Sequence, residues 1–204
     1  LWLWAEEILK RVLKEEGLPF FEAEGEAAFY GPKIDVQLKS VTGREETAST
    51  IQLDISSARR LDLNYIGPDN QKHHPFIIHR APLGTHERTV AFLLEHFAGS
   101  FPTWLAPIQA RIIPVSDSFN DYASKVVRAL RKSFIRAEAD LSSETLSKKI
   151  RNASALKVPN VVVVGERERS QGKVTLRRHG KKEQAEMDLD ALVSLLSDEI
   201  RLRR

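Results

Sequence analysis

The chain has 204 residues, of which 42% are hydrophobic and 29% charged, with a net charge of +3 and no cysteine. That is the composition of an ordinary globular protein, long enough for one large or two small domains, and it excludes disulfides, cysteine nucleophiles and cysteine-bound metal. No apolar run approaches the roughly 18 residues of a membrane span and no cleavage site follows the opening LWLWAEEILKRVLKEEG, so the expected placement is cytoplasmic with no membrane partner.

Residues Trp4 to Glu16 predict an amphipathic helix with Ile8, Leu9, Val12 and Leu13 on one stripe, stopped by Gly17 and Pro19. The chain opens at Leu1 and its one methionine is Met187, so it reads as a piece of something longer. In AAFYGPKIDVQLKS, Ile34, Val36 and Leu38 alternate with Asp35, Gln37 and Lys39, the period of a strand with one buried and one polar face. After the turn at Thr42-Gly43, ETASTIQLD returns as a second strand with Thr50, Gln52 and Asp54 on one face. YIGPDNQKHH is turn-rich and polar. PFIIHRAPLG predicts a third strand, and Thr85 to Phe97 a helix packed behind it. Antiparallel strands covered by helices make an α+β unit.

The Gly-, Pro- and Trp-rich AGSFPTWLAPIQ marks a boundary, dividing the chain into residues 1–101, a linker at 102–107, and a second domain at 108–204. Beyond it the pattern alternates. ARIIPV, IRAEAD and NVVVVG predict strands, and Asn120 to Phe134 and Ser143 to Leu156 the helices between them. KVTLRR and QAEMDL predict a hairpin around His179-Gly180, and Leu189 to Leu202 a closing helix. This is a small α/β domain with a mixed sheet and flanking helices. Up to Phe101 there are 11 Lys/Arg against 15 Asp/Glu, a balance of −4, and from Pro102 there are 20 against 13, a balance of +7. A basic half on an acidic one points to a polyanionic partner for the C-terminal part.

Arg88 poses the sharpest local question. Thr85 is placed as an N-cap and Glu87 suits the first helical turn, but an arginine there opposes the helix dipole by about 0.3–1 kcal/mol unless something negative offsets it. Gly84, Thr85, Glu87 and Arg88 together form a candidate nucleotide polyphosphate site, with backbone N–H groups and a planar guanidinium for phosphate or base. A surface arginine paired with a nearby acid is the bland alternative. In FYGPK, the rigid Gly31-Pro32 turn fixes Tyr30 and Lys33, whose hydroxyl and ammonium suit the amino or carboxylate group of a small substrate.

The ordered set AFYGPKIDV, TIQLD, LDLNYIGPDN, IIHRAPLGTHER and EHFAGSFPTWLAP resembles the threonyl-tRNA synthetases, over essentially the whole chain. The resemblance implies the end of a class II catalytic domain, built on an antiparallel sheet, followed by an α/β anticodon-binding domain. It further implies a threonine–tRNA ligase as parent enzyme, with threonine, ATP with Mg2+ and tRNA(Thr) as substrates, and a homodimer. GTHER resembles the third class II motif, making Arg88 the ATP contact and Glu87 its helper. Thr85 stands where the family usually has serine. By the same resemblance Tyr30 lies beside the threonine amino group, Lys33 near the substrates and Gln52 on the strand lining the pocket. His79 matches the last ligand of a catalytic zinc that holds threonine through its amine and hydroxyl and so excludes valine.

The family's other zinc ligands, a cysteine and a second histidine, and the first two class II motifs do not occur in this sequence. The fragment by itself is therefore expected to be inactive and to bind no metal or cofactor. In the second domain the resemblance sets Lys157, Glu168 and Arg177 against anticodon bases, which are unstacked and open to hydrogen bonding and guanidinium stacking. The sequence departs from the family at Ser142-Ser143, where an arginine-asparagine pair is usual, at Thr47 to Ser49, and in ISSARR. The alternative is a non-catalytic tRNA-binding paralogue or accessory protein built from the same pieces. A prolyl enzyme fits less well, because the histidine of IIHRAPLG suits threonine.

Overall fold

The first helix, α1 (Trp2–Glu15), begins earlier than the apolar stripe predicts and turns Ala5 fully inward. It stops where Gly17, at φ 65°, lets the N–H groups of Gly17 and Leu18 bond back to Lys14 and Leu13. The predicted hairpin forms as β1 (Lys33–Lys39) and β2 (Glu45–Asp54), antiparallel, with a bulge after Val36. Gly31 enters it under tight constraint. A Cβ there would stand 1.9 Å from the Leu53 carbonyl oxygen, so no other residue lets this turn lie against β2.

A short helix α2 (Ser57–Arg60) follows, then β3 (Tyr65–Ile66) and β4 (Lys72–His73). These two close YIGPDNQKHH into a small hairpin of its own, where polarity alone predicted only turns. Next come β5 (Ile77–Ala81), paired antiparallel with β2, and α3 (His86–Phe97). The sheet order β1-β2-β5 makes the antiparallel platform expected of the first unit. Two expectations fail here. Val36 and Leu38, predicted to face a core, are half-exposed, and α3 buries none of its side chains fully. This platform supplies no second layer over its apolar side.

The second unit is layered. It contains β6 (Ala110–Pro114), α4 (Asn120–Lys132), β7 (Ala137–Ala139), α5 (Leu146–Ala155), β8 (Asn160–Val164), α6 (Glu166–Gln171), β9 (Lys173–Arg178), β10 (Gln184–Asp188) and α7 (Leu189–Arg201). The sheet runs β10-β9-β8-β6-β7, with β7, β6 and β8 parallel and β8, β9 and β10 antiparallel. It is the mixed sheet that the strand-helix alternation predicted. Ile112, Val162, Val164, Val174 and Leu176 on one face bury against Val126 and Leu130 of α4 and Leu192 and Leu196 of α7. Ile113 and Val161 on the other face pack against Ala153 of α5. The helix α6 escaped sequence reading because ERERSQ carries no apolar stripe; it is held by its ends, with the Glu168 carboxylate accepting from the N–H of Gly165 at 2.9 Å.

The computed structural model describes residues 1–204, and the chain divides into two units, Leu1–Glu95 and His96–Arg204. The expected linker at 102–107 is not a free spacer. Thr103 and Ala106 are buried in the second unit, where Thr103 donates to Glu199 at 2.6 Å and accepts from Asn160 at 3.1 Å. Arg178 joins the same group through Glu199 and Asn160, so the segment is tied to β8, β9 and α7 by charge-assisted bonds. No helix is long and apolar enough to cross a membrane.

Candidate functional site

The pleat of the three-stranded sheet gathers the polar residues of the first unit. Lys33 stands opposite Gln52, and Gln52 opposite His79, so one row crosses all three strands. Side chains two residues apart share a face, which adds Asp35, Thr50 and Asp54. Tyr30 leans over this row, its hydroxyl donating to the Gln52 side-chain oxygen and its ring 5.2 Å from that of His79. Beside it, Lys33 donates to Asp35 at 2.6 Å and Thr50 donates to the other oxygen of the same carboxylate at 2.6 Å. The sheet therefore brings Tyr30, Lys33, Gln52 and His79 together. It adds Asp35 and Asp54, which sequence reading placed on strand faces without a role.

Asp54 is the most enclosed of these groups, 1% exposed. Burial pushes its carboxyl up, but Ser57, His79 and the Ser56 N–H all donate to it, and together they hold it well below the usual carboxylate range. An ionised carboxylate only accepts, so in the bond of 3.0 Å the His79 Nε2–H is the donor. The zinc suggested by resemblance is not supported by this donor set. No three His, Cys, Asp or Glu side chains are grouped to hold a metal. His79 offers a single nitrogen, short of the three protein ligands of a catalytic zinc site.

At the other end of β2 lies the start of α3. Thr85 caps it as expected, its hydroxyl accepting from the Arg88 N–H at 3.2 Å. Gly84, at φ 59°, lies close under β2, where a Cβ would come within 3.3 Å of the Ala48 carbonyl oxygen. Glu87 occupies the first turn. The Arg88 guanidinium reaches back to the sheet, donating to the Thr47 carbonyl at 3.1 Å and pairing with Glu46 at 3.4 Å. The negative charge offsetting Arg88 in this structure is thus Glu46. The pair is half-exposed, a geometry in which attraction is weak and exchangeable for another anion. From Thr47 to Gln52 the strand rises about 17 Å, which separates the Arg88 end from the Tyr30 cluster along one strand.

In the second unit, Glu168 and Arg177 come onto one face through Thr175. The Thr175 hydroxyl donates to Glu168 at 2.8 Å, and Arg177 follows two residues along β9, opposite Gln184 of β10. Burial pushes the Glu168 carboxyl up, but donation from Thr175 and the Gly165 N–H with the nearby Arg167 outweighs it, and the group stays below its ordinary range. Thr175 was missed, although its period-two spacing from Arg177 marks it. Lys157 has no contact with this group; it lies past the end of α5 and donates to the Ala98 carbonyl. Ser142 turns back on Asp140, its hydroxyl donating at 2.6 Å.

Comparison with known proteins follows the same division. The pattern described as "tRNA synthetase class II core domain (G, H, P, S and T)" matches residues 4–97, and that described as "Anticodon binding domain" matches residues 109–199. The chain is 48% identical over 200 residues to a threonine–tRNA ligase of Exiguobacterium sp., covering 98% of this chain and 31% of that protein. It is 47% identical over 205 residues to that of Geobacillus kaustophilus, covering all of this chain and again 31% of the relative. The chain thus spans about a third of the length of these relatives. Among solved structures, the RNA binding domain of threonyl-tRNA synthetase from Cryptosporidium parvum superposes with a TM-score of 0.89 at 38% identity, over 97% of this chain and 50% of that one. A putative threonyl-tRNA synthetase from Aeropyrum pernix gives 0.71 at 28% identity, over 97% and 48%.

Proposed function

The chain belongs to the class II tRNA synthetase family, joining part of the core domain to the anticodon-binding domain of a threonine–tRNA ligase, and from that premise we propose what its residues do. The parent enzyme joins threonine to ATP and passes it to tRNA(Thr). In the first step the threonine carboxylate attacks the α-phosphorus and pyrophosphate leaves; in the second a ribose hydroxyl of the tRNA takes the acyl group and AMP leaves. We assign residues 1–101 to the catalytic part and 108–204 to the anticodon-reading part, with 102–107 built into the latter.

The observation that carries this reading is the row Lys33–Gln52–His79 with Tyr30 above it and a basic helix start further along the same strand. The Tyr30 hydroxyl and Gln52 amide bind the threonine amino group, and Lys33 lies near the reacting carboxylate. Arg88, released from Glu46, takes ATP with its Mg2+, while Gly84, Thr85 and Glu87 shape the helix mouth beside it. Asp54 sets the orientation of the His79 imidazole at the end of this row. Glu168, Arg177 and Lys157 contact anticodon bases. The parent works as a cytoplasmic homodimer.

The test uses the full-length protein. Threonine-dependent exchange of pyrophosphate into ATP is expected, and Gln52→Ala raises the KM for threonine. Arg177→Ala weakens tRNA(Thr) binding by roughly 5- to 150-fold, the range of one lost base contact, while leaving exchange near normal. A protein that binds tRNA(Thr) but exchanges no pyrophosphate with threonine is the non-catalytic paralogue instead.

A further inference from the structure

Five helices of this chain, α1, α2, α4, α5 and α7, end in the same backbone motif. The residue one past the cap is left-handed, its N–H bonding three residues back, and the next N–H reaches five back. In α1 that position is Gly17, the residue it favours. In α5 it is Lys157, a residue set against RNA in the reading above. In α4 it is Phe134, at φ 59° and 92% exposed. The backbone there is fixed from inside: Phe134 N–H donates to Arg131 at 3.0 Å, Ile135 N–H to Leu130 at 3.1 Å, and the Leu130 and Ile135 side chains are buried. A bulky side chain in the left-handed region is strained, and one so exposed recovers nothing by packing. What this phenylalanine contributes must lie outside the chain.

Its surroundings indicate what that is. Phe134 stands at the rim of an open cleft of about 460 Å³, with Pro107, Ile108 and Ile135 as its apolar lining. Arg131 and Arg136 line it too, and both are held by neutral groups. Arg131 Nε donates to the Ala137 carbonyl at 2.8 Å, and Arg136 donates to the carbonyls of Ala106 at 2.8 Å and Trp104 at 3.0 Å. Their positive charges are positioned but not neutralised. Glu138, the acid at this cleft, is already paired with Arg111. Lys132 adds a further charge in the last turn of α4, where the helix dipole also favours it. An exposed ring beside fixed, uncompensated guanidiniums is the equipment of a stacking platform for single-stranded nucleic acid.

We propose that this cleft is a second RNA-binding surface, with Phe134 stacking on an unpaired base and Arg131, Arg136 and Lys132 taking the adjoining phosphates. It is separate from the Glu168–Thr175–Arg177 face. The edge strand β7 and strand β9 stand three strand spacings apart, about 14 Å.

The variant Phe134→Gly tests this cleanly, because it places the favoured residue at the helix end and should leave the thermal midpoint unchanged or raised. Binding of a tRNA(Thr) transcript and of a short single-stranded oligoribonucleotide to the full chain is followed by fluorescence anisotropy. Both affinities are expected to fall roughly 5- to 150-fold in Phe134→Gly and to be retained in Phe134→Trp, and Lys132→Gln is expected to flatten the salt dependence by about one phosphate contact. Unchanged RNA affinity in Phe134→Gly overturns the proposal. So does a loss of self-association in sedimentation at unchanged RNA affinity, which would make the cleft a protein contact. Arg177→Ala measured alongside separates the two readings: loss there without loss in Phe134→Gly leaves the anticodon face standing and removes this one.

Discussion

The two units hold themselves together differently. In the second, fifteen buried residues form one continuous cluster between the mixed sheet and α4 and α7. In the first, the buried apolar side chains are those of Ala5, Pro32, Leu53 and Ala58, and what is organised instead is a polar face. Phe21, Phe29 and Val41 stand more than three-quarters exposed there. Within these 204 residues the first unit is organised by strand register and hydrogen bonds, and the second by a closed apolar layer.

The largest expected effect separates them directly. Ile112→Ala removes a fully buried side chain from the module and should cost about 2–5 kcal/mol, while Ile78→Ala, at a position 63% exposed on β5, should stay within about 0.5 kcal/mol. Hydrogen exchange resolved by unit, against urea, measures both; similar losses would dissolve the contrast.

Acid sharpens it next. Asp54 in the platform and Glu168 and Asp140 in the module all have folded-state carboxyls below their ordinary values. Each therefore contributes stability that is fully present above the unfolded carboxylate range and is lost as pH falls through the lower folded value. With so little buried around it, the platform depends more on its single enclosed carboxylate. Asp54→Asn should cost about 1–3 kcal/mol at neutral pH through donors left unpaired and should flatten the platform's acid limb, with the module's limb unchanged. A pH series of amide exchange reads this, and an unaltered platform limb would remove Asp54 from its role. The smallest effect is expected at Glu144→Ala, which breaks the half-exposed Lys148 pair before α5 for no more than about 0.5 kcal/mol.

Much of this architecture is written in local pattern. Alternation in KIDVQLK and TIQLD marks two strands and puts Gln52 and Asp54 on one face, and helical spacing marks α3, α4 and α7, because periodicity is a property of neighbouring residues. The motifs around Tyr30, His79 and Arg88 are equally contiguous, and they carry the resemblance to the family. Other features depend on residues far apart. That Asp54 holds His79, that Glu46 holds Arg88, that Thr175 ties Glu168 beside Arg177 and that Thr103 belongs to the second unit all follow from strand register and layer packing across 7 to 96 residues. The ends of α4 and α5 belong here too: the backbone past them is left-handed because buried side chains on either side of the turn meet in the core. Phe134 looks like one more apolar residue of a helix until the fold turns it outward. Short-range pattern encodes which elements form; which groups meet depends on three-dimensional packing, where the cost of an unpaired charge or an open core is settled.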